Sequence, residues 1–346
     1  MVKFVVAKIG IDLGTANTLV HVAGKGLVFN QPTAIAYDES SNKVIAFGTA
    51  ADDMIGRTPP SIRVVKPLST GVVSDYAAAQ TYLGLVIKET TRRSVLSPIS
   101  VVIGVPSRIS GAEFKAMQDA LSSSKISRIF AVQEPVAAAI GSGLDFTQPR
   151  GCLIIDIGAG TTDIAMLSLG RVVQSRSLKV GSEALVAAFI SFLNNEIRLN
   201  VGKKTAEKFL QDHGQAFHKS SGTAVIQGID MTKGLPINKT LESAITFEAI
   251  EPTVSLIVTE LKLLLDTVPP DLASDILTDG IHLTGGGSLL NGLAELISKK
   301  TGLDCKHVED PLLAVAYGCG LISDDLDRFK FVLEAAPNDP FTASRA

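Results

Sequence analysis

The sequence contains few cysteines, no excess of basic residues and no long apolar segment. Cys152, Cys305 and Cys319 are scattered along 346 residues without the spacing of a metal site. Such sparse usage favours a reducing, cytoplasmic setting and predicts that Cys152 is a buried core thiol. The net charge of −3 gives no reason to expect a nucleic-acid partner. No apolar run approaches the roughly 20 residues that span a bilayer, and the N-terminus predicts a first strand instead of a signal peptide.

Two common nucleotide-binding signatures are also missing. The chain has no Gly-x-x-x-x-Gly-Lys-[Ser/Thr] sequence, which excludes a P-loop enzyme, and its triple glycine lacks the Gly-x-Gly-x-x-Gly spacing of a Rossmann fold. The histidines show no catalytic or metal-binding order, so all five are predicted to be structural or on the surface; they are His21, His213, His218, His282 and His307.

The length and the apolar content predict two domains with large cores. A hydrophobic fraction of 46% excludes a disordered chain, and 346 residues exceed what one typical core accommodates. The order of predicted elements is strands followed by helices, twice over, which indicates an α/β fold. Strands at residues 9–12, 18–23 and 27–30 form a first meander, and a second occupies residues 152–177. Long helices are predicted at residues 75–91, 182–195 and 251–267.

A short motif occurs twice in the same register. Residues 12–18 read DLGTANT and residues 156–163 read DIGAGTTD, so that Asp12 and Asp156 lie 144 positions apart (156 − 12). Gly26 precedes Gly170 by the same interval, at a predicted hairpin turn in each copy. The repetition predicts two similar half-folds that face each other with a polyphosphate between them.

Each copy has the residue types that a phosphate site needs. Glycine lets the backbone approach a ligand closely, and successive N–H groups of such a turn bind anions. Asp12 and Asp156 would repel phosphate, so we expect them to hold Mg²⁺, directly or through water. For a single copy, an ordinary aspartate capping a glycine turn explains the pattern equally well. The predicted nucleotide-binding residues of the two loops are Gly14, Thr15, Ala16, Asn17, Gly158, Ala159, Gly160, Thr161 and Thr162.

Two further features are weaker when taken alone. Glu134 stands before Pro135 at a predicted strand-to-helix junction, where its carboxylate would orient the water that attacks a γ-phosphate. A first-turn glutamate favoured by the helix dipole explains the same position. The glycines at residues 285–287 follow a strand and are predicted to open a helix, whose N-terminus favours negative charge.

Together these motifs resemble the superfamily of actin, sugar kinases and DnaK-type chaperones, and within it the bacterial actin MreB family. The resemblance extends from about residue 9 to residue 320. It is carried by GIDLGTANT (10–18), GRTP (56–59), KPL (66–68) with GVV (71–73), EPVAAAIG (134–141) and LTGGGSLL (283–290). The segment TAEK (205–208) resembles the family segment beside the ribose and adenine.

The resemblance implies an actin-like fold, in which two duplicated α/β domains enclose a nucleotide cleft and each has a smaller subdomain. The first domain is expected at residues 1–145 plus about 313–336, with a small subdomain at 31–65. The second is expected at residues 146–312, with a small subdomain at 182–245, and residues 337–346 are expected to form a flexible tail.

The resemblance also implies the chemistry and the partners. ATP and Mg²⁺ are the expected ligands, with Glu134, Asp12 and Asp156 as catalytic residues and both aspartates as metal ligands. It adds nucleotide contacts at Glu207, Lys208, Gly285, Gly286, Gly287 and Ser288. The implied activity is ATP hydrolysis coupled to assembly into a homopolymer, with paired protofilaments as one arrangement. An MreB-type scaffold would guide wall synthesis in the cytoplasm at the inner membrane, together with membrane-bound morphogenesis proteins.

Departures from the family pattern keep other roles open. Ala159 stands where MreB usually has glycine, and DIGAGTTD is similar to the magnetosome actin MamK, which makes an organelle-organising filament the alternative. A monomeric kinase of the same fold is a second alternative. The loop that contains Val95 and Leu96 beside two arginines would suit an anionic membrane surface, although an ordinary exposed loop has the same composition.

Overall fold

The structure is a computed structural model that describes residues 7–91, 98–122, 126–217 and 222–333. Residues 7–141 are called the first half and residues 152–307 the second half. The elements of the first half are, in chain order, β1 (Ala7–Leu13), β2 (Asn17–Val22), β3 (Gly26–Pro32), β4 (Ile35–Asp38), β5 (Lys43–Phe47), α1 (Thr49–Asp52), β6 (Ile62–Val65), β7 (Leu68–Ser69), β8 (Val72–Val73), α2 (Tyr76–Thr90), β9 (Ile99–Val105), α3 (Gly111–Leu121), β10 (Ile126–Gln133) and α4 (Glu134–Gly141).

The second half repeats the alternation of strands and helices, and a last α-helix follows it. These elements are β11 (Cys152–Ile157), β12 (Thr162–Ser168), β13 (Arg171–Leu178), α5 (Ser182–Phe192), β14 (Leu199–Asn200), α6 (Lys203–His213), β15 (Thr223–Asp230), β16 (Leu235–Glu242), α7 (Ala244–Leu265), α8 (Pro270–Asp279), β17 (Ile281–Thr284), α9 (Leu293–Thr301), β18 (Cys305–His307) and α10 (Ala314–Asp324). A π-helical turn at Leu193–Ile197 extends α5, and 3-10 turns lie at Gly286–Leu289 and Lys330–Val332.

The two large sheets have the same topology. Their strand orders are β3-β2-β1-β9-β10 and β13-β12-β11-β17-β18. In each sheet the strand that precedes the motif pairs antiparallel with the next strand and parallel with a later one. The register repeats as well, since Leu13 pairs with Thr18 and Ile157 pairs with Thr162. The predicted duplicated α/β fold is therefore confirmed.

Smaller, separate sheets accompany the two large ones. Strands β5-β4-β6 and the short α1 occupy the region from residue 35 to residue 65. In the second half, β14-β15-β16 form a separate three-stranded sheet beside α6. Both places were predicted to hold small subdomains, and each contains a small sheet of its own.

Two helix predictions were wrong in their bounds. The helix α7 begins at Ala244, not near Glu251, and Pro252 lies inside it. Proline is unfavourable inside a helix, but burial of Ala249 and Ile250 stabilises the turns before Pro252. The triple glycine does not open an α-helix either. A 3-10 turn follows it, and α9 begins only at Leu293, after Gly292 adopts a left-handed conformation.

Among the described residues the core has three large apolar clusters and a small one of Ala34, Ala36 and Ala51, and one of the large clusters joins the halves. Each large sheet has its own apolar cluster, while a third cluster contains α4 and α10 together with Ile154 and Leu167 of the second sheet. The two helices approach so closely that a Cβ on Gly318 would overlap the carbonyl of Ala137, and one on Gly141 would overlap the carbonyl of Ala314. Glycine is required at this crossing because backbone contacts backbone.

Replacing Gly318 by alanine is therefore expected to destabilise the protein by about 1–3 kcal/mol or more, because neither helix backbone has room to move. Gly84 in α2 provides the matched control, since nothing lies within 4 Å of its added Cβ. Gly84→Ala should stabilise by about 0.5–1 kcal/mol through helix propensity. Thermal unfolding of both variants measures this, and equal shifts of Tm in the two would contradict the proposed close contact.

Candidate functional site

The two motif loops have the same backbone hydrogen bond. The N–H of Gly14 donates to the carbonyl of Asn17 at 3.0 Å, and the N–H of Gly158 donates to the carbonyl of Thr161 at 2.9 Å. Both glycine N–H groups are thus used to close the turn. Within the described part of the chain, the next two N–H groups of each loop have no hydrogen-bond partner; they belong to Thr15, Ala16, Ala159 and Gly160. Four amides are therefore left to bind an anion.

The hydroxyls of the loops hold their shape. Thr18 contacts the hydroxyl of Thr33, which in turn donates to the carbonyl of Gly14 at 2.8 Å. Thr162 is fully buried and donates to the carbonyl of Val180 at 2.7 Å. These hydrogen bonds hold the backbone of the two loops in place. Asn17, in contrast, is exposed at the end of the first loop.

The loops of the two halves touch each other. The hydroxyl of Thr15 accepts a hydrogen bond from the N–H of Gly71, which lies in the β7–β8 turn, at 3.0 Å. An added Cβ on Gly160 would lie 2.5 Å from that same hydroxyl and 2.8 Å from the N–H nitrogen of Gly71. Glycine at residue 160 is therefore required for the contact between the halves.

Alanine at residue 159 is compatible with this geometry. Ala159 is not among the residues with positive φ, so its backbone has the conformation that any L-residue adopts. Its carbonyl accepts the N–H of Glu183 at 2.9 Å, and the N–H of Ser182 donates to Gly158 at 3.0 Å. The start of α5 is thus bonded to the second loop, whether the side chain at residue 159 is hydrogen or methyl.

Four carboxyl groups converge where the loops meet. Burial raises the pKa of Asp12 to about 7. Burial also raises the pKa of Asp156 well above its usual value, and the charges of Asp163 and Asp12 raise it further. Glu134 has a pKa raised well above its usual value by burial and then by the charges of Asp163, Asp156 and Asp12. The structure therefore brings the predicted Asp12, Asp156 and Glu134 together.

The fourth carboxyl group, Asp163, was not predicted as a site residue. It is 1% exposed, and burial is the main cause of its raised pKa. Its Oδ1 accepts the N–H of Ser107 from the first half at 2.7 Å. A signal existed in the sequence, because an acid ends the second motif whereas the equivalent residue of the first motif is Leu19.

Glu134 is the first residue of α4, directly after β10, and Pro135 follows it in the first turn. A Cβ on Gly104 of β9 would lie 3.5 Å from Cγ of Glu134. Glu134 thus lies both in the first turn of α4 and next to the acids of the two loops, so its position is compatible with either explanation.

The glycines at residues 285–287 pack against the end of β11, where the second loop begins. Gly285 has a φ of 78°, and an added Cβ there would overlap the Asp156 carboxyl group. A Cβ on Gly287 would lie 2.5 Å from Cγ2 of Ile157. Gly286 is exposed, whereas Ser288 is fully buried and donates to the carbonyl of Gly285 at 2.7 Å.

The predicted ribose contacts lie on α6. Glu207 is half-buried there, and the exposed Lys208 forms an ion pair with Asp212 at 3.1 Å. The helix α6 packs against α5, whose start is bonded to the second loop. A cavity of about 360 Å³ adjoins this loop and is lined by residues that include Thr70, Ala159, Gly160, Gly181, Glu183 and Lys203.

Among the described residues, four ion pairs join the halves; they are called the cross-cleft ion pairs. They are Lys66–Glu183 at 3.4 Å, Asp52–Lys204 at 2.6 Å, Asp53–Lys204 at 3.6 Å and Glu113–Lys179 at 3.0 Å. In each pair one charge belongs to the first half and the other to the second. The halves are therefore described in a closed arrangement.

Neither a metal cluster nor a membrane-spanning helix is found among the described residues. Among the described residues no group of three or more histidine, cysteine, aspartate or glutamate side chains has the geometry to hold a metal ion by itself. No helix in the described part of the chain is long and apolar enough to cross a bilayer. Val95 and Leu96 lie outside the described residues.

Comparison with known proteins agrees with this architecture. A family model described as MreB/Mbl protein matches residues 6–331. The cell shape-determining protein Mbl of Bacillus subtilis is 37% identical over 321 residues, which cover 92% of this chain and 96% of Mbl. The crystal structure of MreB5 of Spiroplasma citri bound to AMPPNP superimposes with a TM-score of 0.88 at 32% identity, covering 93% of this chain and 97% of MreB5.

The MamK double helical filament structure has a TM-score of 0.78 at 22% identity, covering 92% of this chain and 98% of MamK. At that identity the likeness shows the fold alone. The duplicated sheets and their facing loops define an actin-like protein. The family model and the relatives further specify the class, and the chain belongs to the MreB/Mbl family.

The raised pKa of Asp12 predicts a pH dependence of stability. Between pH 4 and pH 7 the unfolded chain releases the Asp12 proton and the folded chain keeps it, so this group makes the protein less stable as the pH rises. Asp12→Asn should therefore stabilise the ligand-free protein, by about 2–4 kcal/mol at pH 8 and by much less at pH 4.5. Unfolding measured at both pH values tests this. Asp327→Asn, at an exposed position, is the control, and an equal effect of Asp12→Asn at both pH values would contradict the prediction.

Proposed function

We propose that the chain is a cytoskeletal ATPase that polymerises with ATP and Mg²⁺ and serves as an MreB-type cell-shape scaffold. The observation that carries the proposal is the pair of facing loops, whose four unpartnered amides lie beside Asp12, Glu134 and Asp156. The relatives support it, since Mbl is named for cell shape and MreB5 structures contain AMPPNP or ADP.

The residues fit a nucleotide phosphate chain between the halves. The amides of Thr15, Ala16, Ala159 and Gly160 would bind phosphate oxygens, because N–H groups in a turn concentrate positive potential. Buried carboxyl groups that raise each other's pKa would be stabilised by a cation. Asp12 and Asp156 would hold Mg²⁺ through water, and when bound Mg²⁺ would neutralise charge that develops on the phosphates.

Glu134 would orient the attacking water. Phosphoryl transfer needs chiefly positioning and electrostatic stabilisation, and a carboxyl group at the start of α4 is held by the helix backbone instead of a mobile loop. Glu207 and Lys208 would contact the ribose from α6, and Gly285, Gly286 and Gly287 with Ser288 would support the nucleotide side of β17.

The domain division follows the two sheets in this proposal. The first domain would comprise residues 1–145 plus about 313–336, because α10 packs against β1 and α4 of the first half. The second would comprise residues 146–312. The predicted tail at residues 337–346 lies outside the described residues.

Assembly would proceed head to tail. A heterologous contact that does not close generates an open filament, and nucleotide-driven closure of the halves would set the geometry of that contact. A cytoplasmic filament at the inner membrane surface, with paired protofilaments and membrane-bound morphogenesis proteins as partners, would fit the cell-shape role. The DIGAGTTD motif keeps an organelle-organising filament as the second candidate.

Sedimentation tests the proposal. The purified chain should pellet after ATP and Mg²⁺ are added and should remain soluble without nucleotide. A monomeric kinase of the same fold would stay in the supernatant and would consume ATP only with an acceptor substrate. Soluble protein at all nucleotide conditions would therefore reject the filament, whatever the rate of hydrolysis.

Removal of the Glu134 carboxyl group separates binding from hydrolysis. Glu134→Ala should lower the hydrolysis rate by about 10²-fold or more, in line with the loss of a positioned catalytic group, while the Kd for ATP changes little. Glu248→Ala, at an exposed glutamate of α7, is the control and should leave both quantities unchanged. Hydrolysis by Glu134→Ala at the wild-type rate would reject the assignment.

A further inference from the structure

The duplication provides an internal comparison for one buried acid. In the first sheet Asp12 pairs across the strands with Leu19, and in the second sheet Asp156 pairs with Asp163 at the equivalent position. Leu19 is 5% exposed and Asp163 is 1% exposed. The same fold thus accepts an apolar residue at this position in one half and places a carboxyl group there in the other.

Asp163 is unfavourable for stability where it lies. Burying a carboxyl group costs free energy unless it is well paired, and two acids directly opposite each other on neighbouring strands repel. Its Oδ2 is buried without a hydrogen-bond partner in the described part of the chain. Since Leu19 shows that the fold does not require an acid here, we expect Asp163 to be retained for what it does across the cleft.

The hydrogen bond that Asp163 accepts from a backbone amide reaches the other half, while the hydroxyls of Ser177 and Thr161 in its own half act to lower its pKa. Its Oδ1 accepts the N–H of Ser107, in the turn after β9, at 2.7 Å. Pro106 has no N–H, so Ser107 is the first residue beyond β9 whose amide can donate. The turn of residues 106–107 is therefore anchored to β12 of the second half.

This turn lies next to the predicted catalytic glutamate. β9 and β10 are parallel, and Val105 pairs with Gln133 at their ends. The turn of residues 106–107 and Glu134 consequently leave the sheet side by side. Cγ of Pro106 also lies 3.2 Å from the Cβ position of Gly71, whose N–H is bonded to Thr15. Asp163 thus holds a turn that borders Glu134 and lies next to Gly71, which is bonded to the first loop.

We infer that Asp163 is a positioning residue for hydrolysis: its carboxylate anchors the turn of residues 106–107 in the closed arrangement and so fixes the wall of the site beside Glu134. The inference rests on the proposed ATPase function. It assigns no contact between Asp163 and the nucleotide. It requires that Asp163 affect the rate of hydrolysis more than the affinity for ATP.

The test replaces Asp163 by the residue of the first half and by its closest amide. In Asp163→Leu the bond to Ser107 is lost, and the hydrolysis rate should fall at least tenfold while the Kd for a fluorescent ATP analogue stays within about threefold. In Asp163→Asn the amide oxygen still accepts the Ser107 N–H, so the rate should stay within about threefold of wild type. Asp163→Ala serves in place of Asp163→Leu if the leucine variant does not fold.

A second measurement does not depend on hydrolysis. Hydrogen–deuterium exchange of the Ser107 amide, followed in the ligand-free protein, should be faster in Asp163→Leu and Asp163→Ala and unchanged in Asp163→Asn. Wild-type hydrolysis by the leucine or alanine variant would overturn the inference, and so would an unchanged exchange rate at Ser107. If the wild-type protein itself does not hydrolyse ATP, the proposed function fails instead, and the exchange experiment still decides whether the anchor exists.

Discussion

Mutual repulsion among four closely placed carboxyl groups, two of them buried and two half-buried, is the constraint on which the rest of the structure depends. The four groups come from both halves; they are Asp12, Glu134, Asp156 and Asp163. Burial raises the pKa of each, and the charges of the three aspartates raise the pKa of Glu134 further. Such a cluster costs folding free energy, which the packing of the surrounding residues must offset. The close crossing of α4 and α10, with backbone against backbone at Gly318 and Gly141, supplies that packing between the sheets.

Repetition made the fold predictable from the sequence. Strand β1 and strand β11 are apolar runs that end in the same motif 144 positions apart (156 − 12), and local patterns of alternation were enough to place the three strands of each meander. The bounds of α7 were less accessible, because Pro252 is tolerated within the helix by burial that only the tertiary structure supplies. The prediction that the triple glycine opens a helix was wrong for a related reason. Gly285 and Gly287 instead allow close packing against Asp156 and Ile157, which only the tertiary structure shows.

The candidate site could be predicted in part from the sequence, also because of the repeat. Asp12 and Asp156 follow directly from the repeat, and Glu134 followed from the strand-to-helix junction combined with the family resemblance. Asp163 was not found, because its partner Ser107 is 56 residues away and lies in the other half. Ala159 looked like a departure that would change the role of the protein, yet its backbone is ordinary and its amide is unpartnered like that of its neighbour. The difference from the usual MreB loop therefore leaves the backbone conformation of the second loop ordinary.

The cross-cleft ion pairs give the closed arrangement a sensitivity to the solution. All four lie at partly or largely exposed positions, with side-chain exposures between 22% and 71%, so each contributes little by itself. Opening the halves would nevertheless separate all four pairs at once. Salt screens such charges over a length of about 8 Å at physiological ionic strength. A rise in ionic strength therefore weakens the closed arrangement of the cleft slightly, independent of what the loops bind.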